Sequence, residues 1–229
     1  MKRLLAFTLA ETLIVMGVIG VVAALTLPNL NQSTSNKEKV VKLKKIYSNL
    51  QDALGRATAV YGPIDEWCTN LNQKECSKKG GDRITEFMKI TKNCGLEKNK
   101  GCFSSKTNYA SGSGSESGRD TYDTESKYIL ADGSSLSISA PFNGLDGAAI
   151  YVDIDGPNKG KNSYNIDIFQ FQLEYDDGLI PEGSCNINDD YGSCTAWVIE
   201  NGNMDYLKAN SNGKCTNGTQ LSETVTSCN

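Results

Sequence analysis

One long apolar stretch near the N-terminus constrains this chain more than any other feature. Residues 7–27 contain a single charged side chain, that of Glu11. A helix of this length, at about 1.5 Å per residue, extends for about 32 Å, and the hydrocarbon core of a bilayer is about 30 Å thick. We therefore expect a transmembrane N-terminal helix over residues 7–28. The basic residues Lys2 and Arg3 before it predict a cytoplasmic N-terminus.

The single acid in that stretch suggests a partner. A carboxylate in hydrocarbon costs roughly 2.5–3.5 kcal/mol or more, so an acid at that depth is usually paired. Glu11 lies one helical turn after Phe7. If the chain were cleaved between Ala6 and Phe7, the new amine of Phe7 would lie at the same depth and pair with Glu11 of a neighbouring chain. An ordinary signal peptide, with its shorter apolar core, and a plain signal anchor are the alternatives, and neither explains Glu11.

Residues 6–14 resemble the class III signal of type IV pilins and type II secretion pseudopilins. That family has a short basic leader, a cleavage site before an aromatic residue and a glutamate four residues beyond it. The resemblance implies that residues 1–6 are a leader peptide, and that a prepilin peptidase cleaves after Ala6 and methylates the amine of Phe7. It also implies a role in filament assembly for Glu11. Ala6 stands where the family usually has glycine.

A second helix signal follows the apolar stretch. Between residues 37 and 61, apolar side chains recur at alternating steps of three and four, which predicts one buried stripe on a helix. The stripe consists of Val40, Leu43, Tyr47, Leu50, Leu54, Ala57 and Tyr61. Gly62 and Pro63 are expected to end this helix. We interpret residues 29–62 as an amphipathic continuation of the first helix; a separate helix after a linker is the alternative.

Strand signals appear in the second half of the remaining domain, residues 63–229. Residues 128–131 and 135–140 read as a hairpin around an Asp-Gly turn, and 148–154 and 166–173 as further strands. Such short, consecutive strands favour an antiparallel meander. The expected fold class is therefore α+β: a long N-terminal helix, half transmembrane and half amphipathic, packed on a small antiparallel β-sheet, pilin-like and stapled by disulfides.

Three other segments carry weaker signals. Residues 82–92 are compatible with a short helix, and residues 104–119 have the composition of a flexible loop. Residues 195–200 are predicted to be either a strand or a helical turn, since periodicity does not distinguish the two over so short a run. Trp197 within them is expected to be a core residue rather than a platform for a ligand.

The chain has eight cysteines, all beyond the apolar stretch. An even number outside the cytoplasm indicates disulfides in an oxidising compartment. Their spacing suggests pairing between neighbours: Cys68 with Cys76, Cys94 with Cys102, Cys185 with Cys194, and Cys215 with Cys228. Zinc is the alternative, but structural zinc sites favour closer Cys-x2–4-Cys spacing, and the chain has no histidine.

Acidic residues mark a candidate metal loop. Asp153, Asp155 and the following glycine resemble the start of a calcium loop, and Asp167 opens the next strand. Residues 151–171 also resemble a C-terminal motif of pilin-like and pseudopilin domains, and major pseudopilins bind calcium in this region. Calcium held by Asp153, Asp155 and Asp167 is therefore expected, with an ordinary turn as the alternative. The second choice of ligands is Asp176 and Asp177.

No catalytic motif is recognisable, so we expect no enzyme. Without histidine there is no Ser-His-Asp or Cys-His arrangement, and the net charge of −4 argues against nucleic acid as the main partner. The sequence predicts a structural subunit of a type IV pilus or a type II secretion pseudopilus. We expect it in the inner membrane as a single-pass protein with an extracytoplasmic domain, and then in the filament.

The predicted partners follow from that function. They are other pilin or pseudopilin subunits, the prepilin peptidase, the inner-membrane assembly platform with its ATPase, and the membrane itself. The alternative function is a non-polymerising, membrane-anchored binding module or adhesin, for which a buried assembly acid such as Glu11 would have no use. A secreted hydrolase with an unusual anchor is a third class, which the missing motifs disfavour.

Overall fold

The structure is a computed structural model that describes most of the chain beyond the first eight residues. The described residues are 9–109, 114–140, 147–183, 185, 193–210 and 212–228. The predicted leader at 1–6 and Phe7 lie outside them. The chain divides into two compact units, Met1–Glu38 and Lys39–Asn229.

Helix α1 comprises Leu9–Tyr61. Among the described residues, no helix is both long and apolar enough to cross a membrane. The expected fold class, with its transmembrane half at residues 7–28, is therefore wrong; the structure is a mixed α/β fold.

The later part of α1, residues 40–61, packs its apolar stripe into the core of the second unit. Most of the stripe residues are fully buried, and Tyr47 and Tyr61 are partly buried against the same cluster. Tyr47 stacks on Phe171 of the sheet with ring centroids 5.3 Å apart. The helix ends where the sequence predicts, because Gly62 has a φ of +80° and its N–H donates to the carbonyl of Thr58. The amphipathic helix is thus confirmed.

The sheet is larger than the sequence predicts. Its six strands are β1 (Ile90–Gly95), β4 (Glu125–Leu130), β5 (Ser135–Ser139), β6 (Gly147–Asp153), β7 (Ile168–Glu174) and β8 (Gly178–Pro181). They are antiparallel and lie in the order β1-β4-β5-β6-β7-β8. Strands β2 (Lys106–Asn108) and β3 (Ser115–Ser117) form a separate pair. The predicted hairpin and the two further strands correspond to β4–β7, whereas β1 and β8 at the edges were not predicted.

The segments between the helix and the sheet differ from expectation. Helix α2 is Gln73–Thr85, capped by Asn72, so the helix expected at 82–92 is wrong over most of its length. The predicted flexible loop contains β2 (Lys106–Asn108) and β3 (Ser115–Ser117).

The C-terminal region adds one more α-helix. The ambiguous segment at 195–200 lies in helix α3, Thr195–Asn201. Three short 3-10 turns complete the described elements: Ile64–Glu66, Arg119–Thr121 and Asp205–Lys208.

All four predicted disulfides are present. They join Cys68 to Cys76, Cys94 to Cys102, Cys185 to Cys194 and Cys215 to Cys228. Each closes a short loop, with sequence separations of 8 to 13 residues. Such links are typical of proteins that fold in an oxidising compartment.

Candidate functional site

The loop between β6 and β7 brings together the acids predicted from the sequence. Asp153 ends β6, and its Oδ1 accepts hydrogen bonds from the N–H groups of Asp155 and Gly156, at 3.1 and 3.0 Å. Gly156 has a φ of +83°, and an added Cβ would lie 2.2 Å from the carbonyl oxygen of Gly133. Glycine is therefore required at this turn, as the Asp-x-Asp-Gly pattern suggests.

Asp167 closes the loop from its other end. The side chain is fully buried, and both carboxylate oxygens accept backbone hydrogen bonds. The N–H groups of Lys161 and Asn162 donate to Oδ2 at 2.5 and 3.0 Å, and that of Ser163 donates to Oδ1 at 2.5 Å. Such bonds stabilise a buried carboxylate and fix the chain around it.

Two lysines of helix α1 form ion pairs with Asp155. Lys42 Nζ lies 3.1 Å from Asp155 Oδ1, and Lys39 Nζ lies 3.6 Å from Oδ2. Lys39 Nζ also donates to the carbonyl oxygen of Ile166 at 3.2 Å. The Lys39 and Asp155 side chains are only 13% and 19% exposed. This pair is therefore shielded from solvent more than an ordinary surface ion pair.

Asp153 is the least satisfied acid in the loop. Its Oδ2 is buried and has no hydrogen-bond partner within the described part of the chain. Burial, reinforced by the nearby charge of Asp167, raises the pKa of Asp153 to about 7. The carboxyl group therefore carries a proton for part of the time at neutral pH.

Calcium takes six to eight oxygen ligands. Asp155 and Asp167 approach each other at Gly160, where an added Cβ would lie 3.2 and 2.3 Å from their Oδ2 atoms. The described residues nevertheless contain no group of three or more acids, cysteines or histidines arranged to hold a metal ion. Two ammonium groups already neutralise Asp155. Asp155 is thus paired with lysines in this structure, and calcium binding by the loop stays an untested prediction.

The second-choice ligands occupy a different turn. Asp176 and Asp177 lie between β7 and β8, and both are exposed. They belong to the tight turn that Gly178, with a φ of +74°, completes. Ordinary turn chemistry accounts for them.

The predicted assembly residues fall at the start of α1. Glu11 lies in the first turn of the helix and is exposed. Large apolar side chains on all sides of the helix are exposed too, among them Leu13, Ile14 and Val18. Ala6 and Phe7, the predicted cleavage and methylation residues, lie outside the described residues.

Sequence reasoning missed a buried arginine beside the loop. Arg119 Nη1 lies 2.6 Å from Glu125 Oε1, and its guanidinium lies 3.4 Å from the ring centroid of Tyr151. Arg119 also donates to the hydroxyl of Tyr164 at 3.2 Å. Burial lowers the pKa of Arg119, but Glu125 together with the hydroxyls of Tyr164 and Tyr151 more than offsets it, so the pKa is raised and the guanidinium stays charged. Only a tertiary contact could have revealed it.

A groove of about 630 Å³ lies at the C-terminal region. Trp197 contributes to its wall, donates its Nε1–H to Asn203 Oδ1 at 3.1 Å and packs edge-on against Tyr206. Trp197 is partly buried against the core, as expected for a packing residue. Glu200 and Glu223 give the groove an acidic character.

Comparison with known proteins gives no relative from which a function could be transferred. No family model, curated protein or solved structure matches the chain. Four features of the chain bear on its function: the N-terminal sequence, the exposed apolar helix segment, the disulfides and the β6–β7 loop.

Proposed function

We propose that this chain is a structural subunit of a type IV pilus or a type II secretion pseudopilus. The observation that carries the proposal concerns the first part of α1, residues 9–22. Its large apolar side chains are exposed, and its single acid is Glu11. Isolated exposed apolar residues are normal, but a contiguous apolar surface indicates a partner. Identical helices from neighbouring subunits would bury this surface.

Burial of this surface would drive assembly. Fully burying one leucine, isoleucine or valine side chain contributes roughly 1.5–3 kcal/mol, and the segment presents several of them. In the proposed assembly, a prepilin peptidase cleaves after Ala6, and Glu11 pairs with the Phe7 amine of a neighbour. A charge pair within an apolar bundle fixes the register of the helices, because an unpaired charge there is costly.

The disulfides support an extracytoplasmic location for the second unit. Four disulfides and a buried core would give the filament a rigid outer surface. We propose that the subunit is held at the inner membrane before it enters the filament. Its partners would then be other subunits, the peptidase and the assembly platform. The chemistry of the described residues supports a structural role, and no catalysis is proposed.

A Glu11→Ala variant tests this function. We expect it to enter the sheared filament fraction at least about tenfold less than wild type, since 1.4 kcal/mol per contact is already a factor of ten. Glu38→Ala, which removes an exposed acid from the same helix, is the matched control. Both variants should keep the wild-type Tm. Normal incorporation of Glu11→Ala would overturn the pairing with Phe7.

The alternative is an extracytoplasmic binding module or adhesin that does not polymerise. The groove beside Trp197 is the observation that favours it, since an aromatic wall with polar neighbours suits a ligand. A chain that never enters filaments, yet binds a surface through this groove, would support this alternative. Loss of that binding in Glu223→Ala, which removes an exposed acid of the groove and leaves the core intact, with Tm unchanged, would locate the activity.

A further inference from the structure

We infer that the ammonium groups of Lys39 and Lys42 take the place of a metal ion in the β6–β7 loop. The loop is then held by two cations tethered to helix α1, and the protein binds no calcium there. The inference concerns the second unit alone and does not depend on the proposed assembly function.

Lys39 lies against two oxygens of the kinds that calcium takes as ligands. Its Nζ lies 3.6 Å from Asp155 Oδ2 and 3.2 Å from the carbonyl oxygen of Ile166. A carboxylate and a backbone carbonyl are the two main donor types in calcium loops. Asp155 lies near the start of the loop and Ile166 at its end, so one ammonium group bridges both ends.

Lys42 completes the neutralisation of Asp155. It lies three residues after Lys39 on α1, so the two side chains share one face of the helix. Its Nζ donates to Asp155 Oδ1 at 3.1 Å, while Lys39 lies beside Oδ2. A divalent cation approaching Asp155 would meet two fixed positive charges at contact distance.

The remaining acids leave too few donors for calcium. The oxygens of Asp167 accept three backbone N–H bonds, and Oδ1 of Asp153 accepts two. Asp153 Oδ2 has no hydrogen bond within the described structure, and the contact given for Asp155 Oδ2 is the ion pair with Lys39 at 3.6 Å. Calcium takes six to eight oxygen ligands, so the engaged carboxylates do not provide its shell.

The consequence is a loop whose closure does not depend on the calcium concentration around the protein. Helix α1 and the β6–β7 loop are joined by the same side chains that close the loop. Replacing Lys39 should therefore weaken the attachment of the loop to α1. It should also leave Asp155 Oδ2 and the carbonyl oxygen of Ile166 available to a free cation.

Thermal unfolding of the full chain tests this inference. We would measure Tm in EDTA, in millimolar CaCl2 and in NaCl of matched ionic strength, for wild type, Lys39→Met and Lys44→Met. Lys44 is an exposed lysine on the same helix and serves as the control. Calcium at about one hundred times its dissociation constant would raise the Tm of a calcium-binding chain of this size by roughly 5–10 °C.

We expect no calcium-dependent shift in wild type or in Lys44→Met. Lys39→Met should have a lower Tm than Lys44→Met, and CaCl2 should raise it while NaCl should not. A calcium-dependent rise in wild type would overturn the inference, as would equal Tm values for the two variants. A lower Tm in Lys39→Met without recovery in CaCl2 would also overturn it. If Lys39→Met does not fold, isothermal titration of wild type with CaCl2 decides, and measurable binding contradicts the inference.

Discussion

Two parts of helix α1 are both rich in apolar residues, yet they differ in what covers them. In the first part, Ile14 is 67% exposed, and its apolar neighbours are exposed as well. In the later part, Leu50 is 1% exposed because it faces the sheet. The later part has one apolar stripe and a polar opposite face, and its own domain buries that stripe. The first part exposes apolar side chains on several sides of the helix, and in the proposed assembly neighbouring subunits cover them.

This difference separates two roles within one helix. Apolar residues of the later part stabilise the fold, whereas those of the first part are available for association. The acids follow the same division, since Glu11 lies on the exposed apolar segment and Asp52 on the solvent face of the later part. The predictions below test the division in order of expected effect.

The largest effect should come from matched truncations in the two parts. We expect Leu50→Ala to lower the free energy of unfolding by about 2–5 kcal/mol, because it leaves a cavity in the core. Ile14→Ala should leave that free energy unchanged, since the side chain is exposed. Denaturant unfolding monitored by fluorescence would measure both. A comparable loss of stability in Ile14→Ala would show that the first part of the helix stabilises the domain.

A smaller effect should follow removal of a disulfide. Cys215 and Cys228 close a loop with a sequence separation of 13. Replacing both with serine should cost about 3 kcal/mol of unfolding free energy through the entropy of the unfolded chain. If the two roles are separate, the folded variant should still enter filaments at the wild-type level. Loss of incorporation without loss of folding would place an assembly contact in the C-terminal region.

The smallest effect should come from the exposed face of the later part. Arg56 Nε lies 3.1 Å from Asp52 Oδ2, and both side chains are more than half exposed. Pairs of this kind contribute about 0.3–0.5 kcal/mol. We expect Arg56→Ala to reduce stability by no more than that amount in the same unfolding assay. A cost above 1 kcal/mol, about the upper limit for exposed pairs, would mean that this face is also covered.

Local patterns predicted much of the second unit. The disulfides followed from spacing, because each pair closes a short loop, and the stripe of α1 followed from periodicity. Strand β1 could not be predicted in this way, since Ile90–Gly95 has the sequence ITKNCG and little apolar alternation. Its conformation is imposed by pairing with β4, a contact that its own residues do not reveal.

The candidate site shows the same limit. Asp153, Asp155 and Asp167 lie in or beside one loop, and their role as metal ligands stays a prediction. The two lysines that pair with Asp155 are distant in the chain: Lys42 is 113 residues from Asp155, and Lys39 is 127 residues from Ile166, whose carbonyl oxygen it also contacts. In the sequence these lysines look like an ordinary solvated helix face. Their role depends on the packing of α1 against the β6–β7 loop, which no local pattern reports.

The most direct test of the central claim is the N-terminus of the mature protein. Intact-mass analysis and N-terminal peptide mapping of protein recovered from cell membranes would identify the first residue. Our account predicts a chain that begins at Phe7 with a methylated amine. A chain that begins at Met1, or one cleaved beyond Ala23, would contradict processing as a filament subunit.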